Sequence, residues 1–158
     1  MYDKMFSVFF LLLCVGTFLL SSCAENQLTE IGKNRRQLSD AQWSQLGADI
    51  DGEASGDGSG RVALSSDGSR VAIGAYLNDG NGSSSGHVRV FEWKSDTASW
   101  IKLGADIDGE ASGDRSGGSV ALSSDGSRVA IGAVDNDGNG TDSGHVRVLE
   151  WKSDTASW

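Results

Sequence analysis

The chain has 158 residues, with 22 acidic side chains against 13 basic ones and a formal net charge of −9. That balance argues against a nucleic-acid partner, because phosphate binding needs a basic face. Glycine is abundant at 22 and proline is absent, a composition that, with Asp, Asn and Ser, favours short strands joined by tight turns.

Residues 1–23 read as an export signal. Lys4 is the only positive charge before the apolar core and Asp3 offsets it, while Phe6 to Leu20 (FSVFFLLLCVGTFLL) is 15 residues long. A membrane span needs about 20, so this length suits the hydrophobic region of a signal peptide. Leu20-Ser21-Ser22-Cys23 resembles a bacterial lipobox, which makes Cys23 a candidate lipidation site. An ordinary secretory signal and a retained signal anchor are the alternatives. Either export route predicts an extracellular or cell-surface protein that meets the membrane only through its leader or a lipid. The other cysteine, Cys14, lies inside the leader, so the mature part is expected to hold no disulfide. Residues 24–40 (AENQLTEIGKNRRQLSD) are polar and lack an apolar period, as a flexible tether does. Lys33, Arg35 and Arg36 form a small basic cluster in it.

The remainder is one stretch written twice, as repeats at 41–100 and 101–158. Leu46 to Asp57 returns letter for letter at Leu103 to Asp114, Val62 to Ala75 at Val120 to Ala133, and Glu92 to Trp100 at Glu150 to Trp158. The offset is 57 at first (46 to 103) and then 58 (62 to 120), so the second copy has one extra residue near Gly118. Self-similarity on this scale marks a repeat architecture. In the first copy, strands are predicted at Trp43–Ile50, Val62–Ser65, Arg70–Ala75 and His87–Trp93. Asp67-Gly68 between the second and third predicts a two-residue type I′ turn. VALS and VAIGA place small or apolar residues at successive positions, the pattern of a sheet covered on both faces. Ala63, Ala72 and Gly74 would let sheets approach closely. Trp43, Trp93, Trp100 and Trp151 recur at fixed places and are expected to pack between repeats. The predicted fold is therefore all-β: two four-stranded antiparallel blades of a partial β-propeller, after a signal peptide and a polar tether.

The run W-x-Q-L-G…G-D-x-S-G…V-A-L-S-x-D-G-x-R-V-A-I-G-A…G-H-V-R-V-x-E-W, at Trp43 to Trp93 and again, with Lys102 for the Gln, from Trp100 to Trp151, resembles a short variant of the FG-GAP repeats that form integrin α-chain-like propellers. The resemblance implies an extracellular, non-catalytic recognition or adhesion module with a protein or glycan ligand. Such propellers close with about seven blades; two would leave open apolar faces and imply self-association, or a fragment of a larger secreted multi-repeat protein or enzyme. Two landmarks differ. The family's Phe-Gly is Ser59-Gly60 and Ser116-Gly117, and its Gly-Ala-Pro is Gly74-Ala75-Tyr76 and Gly132-Ala133-Val134. Between them integrin-type blades carry a D-x-D-x-D-G-x-x-D calcium loop, where this chain has only Ser66-Asp67-Gly68-Ser69 and its copy, so that site does not carry over.

Other loops have oxygen ligands at cation-binding spacing. Asp135, Asp137, Asn139 and Ser143 stand at positions 1, 3, 5 and 9, with Gly140 at 6, as in a calcium loop. Weaker candidates are Asp49, Asp51, Glu53 and Asp57 and their copies Asp106, Asp108, Glu110 and Asp114. Calcium is the cation implied, and a calcium-stabilised structural repeat is the alternative function; turn-forming Asp and Asn in solvated loops account for the same letters. Asn81-Gly82-Ser83 and Asn139-Gly140-Thr141 match the N-glycosylation triplet but also arise from Asn-Gly turns. The only histidines, His87 and His145, occupy the same repeat position, which suits architecture better than catalysis. The glycine-rich runs match no nucleotide-binding pattern.

Overall fold

A computed structural model describes residues 42–158. The leader with Cys23 and the tether lie outside the described residues. The β-branched and small residues of each RVAIGA run form an inner strand of an antiparallel sheet. In the first sheet β1 (Ser59–Leu64), β2 (Arg70–Ala75), β3 (His87–Lys94) and β4 (Ser99–Lys102) lie in that order, and β5 (Ile107–Asp108) pairs with the start of β3. In the second, β6 (Ser116–Leu122), β7 (Arg128–Ala133) and β8 (His145–Glu150) lie in order. The fold is all-β, with no helix among the described residues. Both sheets belong to one unit, Gln45–Trp158.

The strand expected at Trp43–Ile50 is absent; this segment is irregular and Trp43 is fully exposed. Its second copy shows why. Ser99–Lys102 forms β4 by pairing Trp100 with Trp93 and Lys102 with Phe91 on the free edge of β3. A strand needs an edge to satisfy its backbone groups, and the segment that opens one repeat completes the sheet of the repeat before it. No earlier β3 stands beside Trp43–Ile50 among the described residues. The unit of structure is thus shifted against the unit of sequence.

The hairpin turns differ from the expected type I′. That turn needs positive φ at both central residues, but in Asp67-Gly68 only Gly68 has it, at 72°. The connection spans four residues, with the Ser65 amide donating to the Arg70 carbonyl (2.9 Å) and the Gly68 amide to the Ser65 carbonyl (3.0 Å). Asp67 stays out of the left-handed region because its carboxylate serves the turn. Its Oδ1 accepts from Ser65 Oγ (2.7 Å), the Ser69 amide (3.0 Å) and Ser69 Oγ (2.9 Å). These donors, Ser65 first, pull its pKa from 3.8 down to about 2, and the same set around Asp125, led by Ser123, holds it lower still. A carboxylate with a depressed folded-state pKa contributes stability that is complete above its unfolded value and is lost as pH falls through the folded one. The melting temperature should therefore fall as pH drops from 3.8 to about 2. The doubly substituted Asp67→Asn/Asp125→Asn chain should show a shallower fall, read by circular dichroism melts across that range.

The extra residue of the second copy sits in a bulge. β1 pairs Ser59 with Ala75 and Arg61 with Gly74, skipping Gly60, whereas β6 pairs Ser116 with Ala133 and Ser119 with Gly132, skipping Gly117 and Gly118. The β6 bulge enters the first sheet. The Ser116 amide donates to the Ser85 carbonyl (2.9 Å), and a Cβ on Gly74 would lie 2.2 Å from the Gly117 carbonyl oxygen. Small residues at 72 and 74 permit this approach. Behind the bulge, Ala72, Val88, Val90, Ile107, Val129 and Ile131 form the buried core, with Val120, Leu122 and Leu149 packed against it. At the hairpin end, Arg70 pairs with Glu92 (3.0 Å) and donates from Nη1 to the Gly126 carbonyl of the second sheet (3.0 Å).

Candidate functional site

The loops before β1 and after β2 are tied by a buried side-chain pair that recurs in the second repeat. Asp57 Oδ2 accepts from Asn78 Nδ2 (3.0 Å) and from the Ala54 amide (3.0 Å), while Asn78 Oδ1 accepts from the Gly80 amide (2.8 Å). Asp114 Oδ2 likewise accepts from Asn136 Nδ2 (3.0 Å) and the Ala111 amide (2.9 Å), and Asn136 Oδ1 from Gly138 (2.9 Å). Asp57 and Asp114, expected as weak metal ligands, are thus nearly buried members of a lock that shapes the loops.

The lock sets the loop holding Glu53 beside the first residues of β3. His87 Nδ1 lies 3.8 Å from Glu53 Oε2, Arg89 Nη1 lies 3.6 Å from Glu53 Oε1, and Arg89 Nη2 donates to the Asp51 carbonyl (2.6 Å). In the second repeat His145 is 3.8 Å and Arg147 3.9 Å from Glu110, and Arg147 Nη2 donates to the Asp108 carbonyl (2.5 Å). Asp106 of the second repeat joins the first of these pairs: ligand atoms of Glu53, His87 and Asp106 all lie within 4.8 Å of one another. A cation there would need the charge of Glu53, which faces the Arg89 guanidinium, and of Asp106, whose carboxylate accepts from Lys102 Nζ (2.9 and 3.1 Å). The two internal cations already balance the carboxylates.

The remaining predicted ligands go to separate partners. Asp49 Oδ1 accepts from Gln45 Nε2 (2.8 Å), Asp135 pairs with Arg115 (2.8 Å), and Asp137 Oδ1 accepts from the Asp142 amide (2.8 Å). The Asn139 amide donates to Ser143 Oγ (3.3 Å), which donates to the Asn136 carbonyl (3.1 Å). In the first repeat Asp79 repeats the Asp137 arrangement, accepting from the Ser84 amide (2.7 Å). These bonds order the loop, as Asx turns do.

Between each opening segment and its sheet lies a cleft that the sequence did not single out. The first, of about 290 Å³, is lined by Asp49, Asp51, Arg89, Phe91 and Trp100. The second, of the same size, has Asp106, Asp108, Arg147, Leu149 and Trp158 in the corresponding places. The tryptophans that wall them pack within a sheet rather than between repeats as expected. Trp93 and Trp100 meet edge to face at 5.4 Å across β3 and β4, and Trp100 Nε1 donates to the Leu46 carbonyl (2.9 Å). Trp151 and Trp158, just beyond β8, pack in a tilted arrangement at 5.3 Å, and Trp158 Nε1 donates to the Leu103 carbonyl (2.8 Å). Gly47, at φ 77°, passes under the first pair, where a Cβ would lie 2.8 Å from Trp93. The signal for these clefts was present in the fixed spacing of Asp, Arg and Trp in both copies, but Asp51 and Arg89 are 38 residues apart and Asp108 and Arg147 are 39.

No protein-family model matches the chain, nor does any curated protein or any solved structure.

Proposed function

We propose that the chain is a non-catalytic recognition or adhesion module of the extracellular space or cell surface, built from FG-GAP-like repeats whose sheets stand as blades of a partial β-propeller. The observation that carries this is the pair of equivalent clefts. Each offers carboxylates, a guanidinium and an apolar wall within about 290 Å³, the mixture that holds a polar ligand by its hydrogen-bonding groups and its apolar face. A protein side chain or a sugar unit fits that description. Presenting the same cleft twice suits ligands that repeat, since a second contact within one chain binds at high effective concentration. In this reading the β6 bulge at Gly117-Gly118 seats one blade against the next, through Ser116 on Ser85 and Gly117 beside Gly74.

The test is binding to a panel of cell-surface glycans and protein ectodomains. A repeating ligand should bind the native chain. Asp49→Ala, which alters one cleft, should lose roughly a hundredfold of avidity, and Asp49→Ala/Asp106→Ala should lose binding altogether. Failure of the native chain to bind any member would overturn the proposal, as would binding that both variants retain.

A further inference from the structure

The two open faces of this molecule carry the same residues as the two faces that meet inside it. Inside, Val88 and Val90 of β3 are 0% and 1% exposed because Val120 and Leu122 of β6 pack in the core beside them. Their copies lie at opposite ends. Val146 and Val148 of β8 are each 68% exposed on the outer face of the second sheet, and Val62 and Leu64 of β1 are 65% and 60% exposed on the outer face of the first. Exposed apolar residues on this scale, in a chain that buries the same letters elsewhere, mark an interaction surface.

The polar parts of the internal contact recur as well. The Gly113, Arg115 and Ser116 amides donate to the carbonyls of Ser83, Ser84 and Ser85 (2.9, 3.1 and 2.9 Å), and Ser116 bridges Gly86. On the open second sheet the acceptor positions are Thr141, Asp142 and Ser143, and Gly144 keeps the positive φ of Gly86 (66° against 72°). On the open first sheet the donor positions are Gly56, Gly58 and Ser59. Where the β6 bulge enters the first sheet, the second sheet instead has a cavity of about 790 Å³ lined by Gly132, Gly144, His145 and Val146. These are the copies of Gly74, Gly86, His87 and Val88, the residues that the bulge touches.

We propose that copies of this chain associate head to tail, the Val62/Leu64 face and the Ser59-Gly60 bulge of one seating on the Val146/Val148 face of the next. The contact repeats the one between the two sheets of a single chain. It joins two different faces, so it is heterologous and propagates to a ring or a filament instead of stopping at a two-fold dimer. It goes beyond the recognition role and does not depend on it.

The experiment uses two full-length variants, Val62→Glu/Leu64→Glu and Val146→Glu/Val148→Glu, studied by multi-angle light scattering. All four positions are exposed, and circular dichroism verifies that the folds persist; the single changes Val62→Glu and Val146→Glu serve if a double variant does not fold. The native chain should form assemblies larger than a dimer, and each variant alone should be a monomer. An equimolar mixture should give a one-to-one dimer with twice the monomer mass, because one variant keeps the intact face that the other lacks. A native monomer, a native assembly that stops at a dimer, or a mixture that stays monomeric would each overturn the proposal.

Discussion

Replacing Gly74 with alanine is expected to cost about 3 kcal/mol of stability, whereas the same change at Gly132 should fall within about 0.5 kcal/mol. The two glycines hold the same place in the same RVAIGA motif. A Cβ at Gly74 would sit 2.2 Å from the Gly117 carbonyl oxygen and 2.9 Å from Val120 Cγ2. The first of these is backbone, held by the neighbouring Ser116–Ser85 hydrogen bond, so relief requires the sheets to separate. At Gly132 the obstacle is Ser119 Oγ at 2.3 Å, and the remaining Ser119 atoms are 3.6 Å or more away. A hydroxyl rotates aside at little cost. Urea denaturation in the Val62→Glu/Leu64→Glu background measures the difference free of any stabilisation by association. Equal losses at the two sites would show that the close approach of the sheets does not set the cost.

The second large effect is expected at Asp114. Asp114→Ala removes a 3% exposed acceptor and leaves the buried Asn136 amide and the Ala111 N–H without their partner, a loss of about 3 kcal/mol. Asp57→Ala breaks the equivalent local bonds but should cost less, about 2 kcal/mol. The difference comes from position. The loop that Asp114 shapes also docks on the first sheet, where the Gly113 and Arg115 amides donate to Ser83 and Ser84. Asp114→Ala should therefore raise hydrogen-exchange rates at Gly113, Arg115 and Ser116, and Asp114→Asn should recover part of the stability by keeping one acceptor oxygen. Unchanged exchange at those amides would separate the lock from the sheet contact.

The strands that can be read locally were legible in the sequence. RVAIGA and HVRV are β-branched runs bounded by turn formers, and both appear at the expected places in each copy. Trp43–Ile50 was not legible, because whether it becomes a strand depends on an edge supplied from outside its own repeat. The acidic spacing has a local use that the sequence did not show. Asp137 and Asp114 have the spacing of cation ligands, yet one carboxylate accepts from a loop amide and the other from a buried asparagine. Asn78 and Asn136 gave a signal that could have been used: a polar residue three places after the same Gly-Ala pair, at equivalent positions in both copies.

What the sequence by itself determined is the all-β class, the two-fold repetition and the positions of most strands and turns. These follow from β-branched residues, glycine and short polar side chains acting over a few neighbours. Tertiary structure alone decided what each copy does with the same letters. RVAIGA is buried at every position from Ala72 to Ala75 in β2 but alternates between buried and partly exposed positions in β7, and Val88 and Val146 share a motif at 0% and 68% exposure. Burial depends on what lies across the sheet, and among the described residues only the first sheet has a neighbour on its β3-type face.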